Sequence, residues 1–215
     1  KKIYKPRIDT SAEPKSMSVW SSCVLTVFNE ENVVERAVRG LLAQTLADLP
    51  YIDASNVAIW GWSYGGYLAL MSMLTENGPQ VFSAGIAVAP VADWRLYDTI
   101  YTERYMRDES DNPDGYADNS PVNFADRLKG DYLLIHGMGD DNVHFQHTAE
   151  MANALFAANK QFETYFYPNR NHGIYGGTTR LHLYQKMTNF ILAHLGDRRS
   201  INGSGTAAGK NKARN

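Results

Sequence analysis

The 215 residues are 44% hydrophobic and 20% charged, an ordinary globular composition with enough apolar material for one sizeable core. A formal net charge of −2 argues against nucleic acid as a partner, and no apolar run approaches the roughly 20 residues that a membrane-spanning helix needs. The lone cysteine, Cys23, excludes an internal disulfide, and no signal peptide is visible in a chain that begins at Lys1.

In chain order, residues 1–18 are polar and expected to be disordered. Ser22-Cys23-Val24-Leu25-Thr26-Val27-Phe28-Asn29 reads as a strand ending at the acidic pair Glu30-Glu31. Val33, Val34, Ala37, Val38, Leu41 and Leu42 then repeat at helical spacing, so residues 19–50 form a βα segment. Its strand at 23–28 is expected to pair with a strand at 57–60, with helix 31–47 as the right-handed crossover.

Gly61-Trp62-Ser63-Tyr64-Gly65 follows the short apolar strand Val57-Ala58-Ile59-Trp60 and precedes a helix over Tyr67–Leu74. This is the strand–turn–helix context of a nucleophile elbow, in which small residues at 61 and 65 avoid clashes in a tight turn. The serine is then held clear of the sheet at a helix N-terminus, where developing negative charge is favoured. A strand over Gly85–Ala89 comes next. Tyr97, Tyr101 and Tyr105 recur every four residues, which places them on one helix face. Asp108, Glu109, Asp111, Asp114 and Asp118 read as a solvated acidic loop, since their spacing fits no EF-hand.

A nucleophilic serine needs a base, and the base an orienting acid; in elbow proteins the chain order is serine, acid, histidine. Strand Tyr132–Gly137 ends just before Asp140 and Asp141, and position alone leaves both open as the acid. Strand Phe162–Tyr167 ends before His172-Gly173. All three candidates lie beyond the carboxyl ends of parallel strands, where open α/β sheets place their ligands. Among the six histidines, His136 is read as a turn cap, His144 and His147 as rim residues opening a helix, and His182 and His194 as surface or packing residues of the last helix. Residues 197–215 are expected to be a disordered tail after a domain spanning 51–196.

Trp60-Gly61-Trp62-Ser63-Tyr64-Gly65-Gly66-Tyr67 resembles the nucleophile motif of the dipeptidyl peptidase IV branch of the prolyl oligopeptidase family. Ala89-Pro90-Val91 with Trp94, then Tyr97-Asp98 and Tyr101-Thr102-Glu103-Arg104-Tyr105-Met106, resembles the next stretch of that branch. So do His136-Gly137 with Asp140-Asp141-Asn142-Val143-His144-Phe145-Gln146, and His172-Gly173-Ile174. The likeness covers residues 48 to 195 and implies an α/β-hydrolase fold, a partial, mostly parallel sheet with helices on both faces. It implies a triad of Ser63, Asp140 and His172, with the backbone N–H of Tyr64 as an oxyanion donor. It also implies an apolar slot for proline or alanine walled by Tyr64, Val91, Trp94, Tyr97, Tyr101 and Val143, and Asn142 as donor to a substrate carbonyl.

The implied substrate is a peptide shortened by two residues at its N-terminus, without a cofactor or metal. Pairing of two copies and a periplasmic or extracellular location are implied as well. In that branch a second oxyanion donor is a tyrosine hydroxyl on an upstream loop, and paired glutamates of a β-propeller hold the peptide's amino terminus. Upstream of Ser63 stand only Tyr4 and Tyr51, neither in a matching motif, and the first 50 residues are too few for a propeller. The expectation is therefore a C-terminal catalytic piece. Other classes in play are an esterase or acyl-peptide hydrolase of the same fold, and an inactive peptide-binding fragment. Residues 19–45 weakly resemble the first βα unit of nucleotide-sugar glycosyltransferases, without the aspartate-rich motifs that should follow, so no function is carried over.

Overall fold

Two nearly unbroken apolar runs, Ala84–Val88 and Tyr132–Ile135, become the central strands of a sheet buried on both faces, the usual fate of such runs in parallel sheets. The computed structural model describes residues 56–75 and 81–195. In it, β1 (Ala58–Trp62), β2 (Ala84–Val88), β3 (Asp131–Gly137) and β4 (Glu163–Tyr167) pair in the order β1-β2-β3-β4, all parallel. The helices are α1 (Tyr64–Leu74), α2 (Thr99–Met106), α3 (Pro113–Asp118), α4 (Gln146–Ala157) and α5 (Thr179–Leu195), with 3₁₀ turns at Trp94–Leu96 and Pro121–Arg127. The expected βα segment at 19–50 and both expected disordered ends lie outside the described residues.

The sheet grows in one direction, so right-handed crossovers carry α1, the 3₁₀ turn at Pro121–Arg127 and α4 to the same face. There Ile59, Ala87, Tyr132 and Leu134 pack against Leu70, Met73 and Leu74 of α1 and Met151 and Leu155 of α4. Helix α5 follows the last strand and covers the opposite face. Ile86, Val88, Leu133 and Ile135 meet its Leu183, Met187 and Phe190 there. Each fully buried side chain of this size stabilises by about 1.5–3 kcal/mol. The expected α/β arrangement with helices on both faces is thus present.

Element ends move by one to three residues from the sequence-based expectation. β1 runs on through Gly61 and Trp62, paired with Ala87 and Val88, and α1 starts at Tyr64, so the turn between them is Ser63 alone. Tyr97 lies before α2, whereas Tyr101 and Tyr105 lie within it. The three tyrosines still form one row, with ring centroids 5.5 and 5.0 Å apart.

Candidate active site

A one-residue turn between strand and helix requires an unusual backbone. Ser63 has φ 59° and ψ −122°, rare for a residue with a side chain and found where surrounding contacts enforce it. Its N–H donates to the Val88 carbonyl at 2.8 Å, and its carbonyl accepts from the Tyr67 N–H at 2.9 Å. The glycines around it serve close approach. A Cβ on Gly61 would collide with the Gly65 backbone, and one on Gly66 would lie 2.8 Å from the Val88 oxygen. Gly65 differs from the expectation. A Cβ there would meet nothing within 4 Å, so Gly66, which lies against Pro90, is the second steric requirement of the elbow.

The aligned register of β1 to β4 brings three loops to one end of the sheet. Asp140, after β3, is buried and turned inward, while Asp141 is exposed, which separates the two aspartates that position left open. Asp140 Oδ1 accepts the backbone N–H groups of Asn142 and Val143, both at 3.0 Å. Its Oδ2 lies 2.7 Å from His172 Nδ1. Burial by itself would raise the pKa of this carboxyl. Hydrogen bonds from His136, His172 and Asn142 outweigh burial and hold it well below the usual carboxylate range. An ionised Asp140 requires the proton on Nδ1 of His172, which leaves Nε2 as the nitrogen able to accept a proton.

The His172 loop is tied to the elbow. The Trp62 indole N–H donates to the His172 carbonyl at 2.9 Å, and Arg180 donates to the Gly173 carbonyl at 2.9 and 3.1 Å while its guanidinium lies 5.5 Å from the Trp62 ring. Ile174 is fully buried with φ 43°, a strained conformation for a β-branched residue and a sign of a loop held by its surroundings. Among the described residues the hydrogen-bonded chain joins Asp140 to His172 and does not extend to the Ser63 hydroxyl. Such contacts are commonly loose until substrate binds.

Beside the elbow, all six expected slot residues fall into one apolar cluster: Tyr64, Val91, Trp94, Tyr97, Tyr101 and Val143. The Trp94 ring stacks on Tyr101 at 6.3 Å and meets Tyr97 edge-on at 6.1 Å. The Tyr97 hydroxyl donates to Asn142 Oδ1 at 2.8 Å, so the Asn142 amide nitrogen is its remaining polar end and faces away as a donor.

Sequence reasoning missed three residues here. Tyr67 is buried edge-on against Trp94 at 5.0 Å, within the same apolar cluster; its position one helical turn after Ser63 was the available signal. His136 is no turn cap. It is fully buried, its Nδ1 is 2.6 Å from Thr148 Oγ1, and its Nε2 is 2.8 Å from the Val143 carbonyl and 3.2 Å from Asp140 Oδ2. His147 is no rim residue either: it is fully buried and its Nδ1 accepts the Ala92 N–H at 3.2 Å, beneath the strand-to-slot turn. His144 is exposed, in the loop before α4. His182 and His194 stay at the periphery of α5, bonded to Tyr167 and to Asp131 and Glu163.

A cleft of about 560 Å³ shares Trp94 and Tyr97 with the slot and carries Glu103, Asp108 and Glu109 on its wall. Asp108 is occupied by Ser110 and Glu109 faces Arg95 at 3.7 Å. Among the described residues no group of three His, Cys, Asp or Glu side chains is arranged to hold a metal.

Residues 40–198 match the model of the prolyl oligopeptidase family. Dipeptidyl peptidase 4 of Felis catus is 42% identical over 170 residues, covering 78% of this chain and 21% of that protein. A probable dipeptidyl-aminopeptidase B of Aspergillus oryzae is 41% identical over 152 residues, 70% of this chain and 17% of that protein. The crystal structure of Porphyromonas gingivalis dipeptidyl peptidase 4 superimposes with a TM-score of 0.71 at 47% identity, covering 75% of this chain and 22% of that one. The chain therefore spans about a fifth of the length of these relatives.

Proposed function

Because this chain belongs to the prolyl oligopeptidase family, we propose that it carries the site of a serine peptidase that releases dipeptides from peptide N-termini, with proline or alanine in second position. Ser63 attacks the carbonyl that follows the second residue. His172 takes the hydroxyl proton on Nε2 and delivers it to the departing amine, and Asp140 keeps Nδ1 protonated and the ring in place. The developing oxyanion is met by the backbone N–H of Tyr64 at the start of α1. Water then attacks the acyl-enzyme, and His172 repeats the proton transfer in reverse order.

The slot fits the side chain of that second residue. A pyrrolidine ring is rigid and loses little entropy between Trp94, Tyr97 and Tyr101, while Val91 and Val143 leave no polar partner for a longer polar side chain. Asn142, oriented by Tyr97, offers its amide N–H to a substrate carbonyl. The single observation that carries the reading is the 2.7 Å bond between buried Asp140 and His172, in a loop tied through Trp62 to the strained Ser63.

The test is labelling of the purified chain by a fluorophosphonate, with the modified residue mapped. Labelling at Ser63 that disappears in Ser63→Ala and His172→Ala is expected, followed by release of Xaa-Pro faster than hydrolysis of simple esters. A folded chain that does not label at Ser63 is a non-catalytic member of the family.

A further inference from the structure

We propose that His136 is a positioning residue for the Asp140–His172 pair, a second, buried histidine that shares the carboxylate oxygen on which His172 is held. The inference rests on the reading of Ser63, Asp140 and His172 as a triad. His136 lies in β3, a strand paired on both sides, and its side chain is fully buried. Its Nε2 faces two acceptors, the Val143 carbonyl at 2.8 Å and Asp140 Oδ2 at 3.2 Å, so the Nε2 proton is shared between them. Its Nδ1 is met by the Thr148 hydroxyl at 2.6 Å, and the Phe145 ring stands edge-on at 5.8 Å. The ring is thereby fixed from strand, acid loop and α4 at once.

A core histidine with no task could be satisfied by backbone alone. Here the second contact of Nε2 is the oxygen that also receives His172 Nδ1 at 2.7 Å. With Oδ1 occupied by two backbone N–H groups, the carboxylate is bonded on all sides and its plane cannot rotate away from His172. Sharing Oδ2 also draws off part of the negative charge that His172 meets. The titratable groups around the ring are Asp140 in contact, His172 beyond it, and His147, which is electrostatically coupled to His136.

The experiment uses the full chain and two readouts. Fluorophosphonate inactivation is measured over probe concentration from pH 5 to 9, which separates the maximal rate from half-saturation. The low-field proton signal of the His172 Nδ1–H reports the bond to Asp140 without requiring activity. His136→Leu is expected to lower the maximal rate about tenfold with half-saturation unchanged, and to shift or abolish the signal. His136→Gln, whose amide nitrogen reaches the place of Nε2, recovers most of both. A His136→Leu protein with unchanged rate and signal overturns the proposal, as does a folded His136→Gln protein as impaired as His136→Leu. If wild-type Ser63 does not label, the peptidase reading falls, and the low-field signal alone decides on His136. If His136→Leu fails to fold, Thr148→Val, which releases only Nδ1, decides by the same signal: a shift upholds the proposal and an unchanged signal overturns it.

Discussion

At the scale of single residues, the environment of each polar atom decides the outcome of a substitution. Asp140→Asn keeps the shape but places an amide against His172, which favours the wrong ring tautomer. The labelling rate at Ser63 is expected to fall by about four orders of magnitude while the circular dichroism spectrum is unchanged. Tyr97→Phe removes the donor that orients Asn142. Cleavage of an Xaa-Pro substrate is expected to drop about threefold to tenfold, chiefly through KM, whereas labelling by a small fluorophosphonate stays the same. Most of these residues were legible in the sequence because the elbow and the loops after the strands are local features. The choice of Asp140 over Asp141 from position alone was not, because adjacent residues share the same place in the chain and differ only in which one turns inward.

Among elements, the contact of α1 with the sheet is the most constrained. Gly85 in β2 has no room for a methyl group: a Cβ there would lie 2.7 Å from Met73 Cγ and 3.1 Å from Tyr132 Cδ2. Gly85→Ala is expected to cost about 1–3 kcal/mol in urea unfolding, and combined with Met73→Ala the total cost is expected to fall short of the sum of the two single costs. Strand positions were readable because β2 is apolar throughout, β3 has the apolar centre Tyr132–Ile135, and β4 alternates partly exposed and exposed residues before a buried end. Helix face assignments were less so. The four-residue tyrosine row crosses from an irregular segment into α2, since Asp98 caps the helix by accepting the Tyr101 N–H and leaves Tyr97 outside.

For the molecule as a whole, stability is tied to pH through a histidine that the fold keeps neutral. Burial, with a smaller contribution from the charge of His136, lowers the His147 pKa to about 4 from the ordinary 6.5. The unfolded chain therefore takes up this proton first as pH falls. The contribution is whole above pH 6.5, declines between 6.5 and about 4, and is flat below. Its size is on the order of 3 kcal/mol. Urea midpoints of the parent chain should drop across that window, and His147→Gln should flatten the slope; equal slopes in the two proteins would contradict it. Asp140, with its lowered pKa, adds a loss that begins only below the ordinary carboxyl value of 3.8.

What the sequence determined by itself is the set of local geometries: the elbow at Ser63, the parallel strands, and the serine–acid–histidine order. Steric limits on a tight turn and apolar patterning act over a few residues, so they are written in the chain. Only the tertiary structure decided which glycine abuts the next strand, that Tyr67 packs edge-on against Trp94, that Asp140 faces inward, and that His136 and His147 are buried. Those outcomes depend on atoms brought within hydrogen-bonding or packing distance from elements far apart in sequence, and no spacing along the chain encodes such a distance.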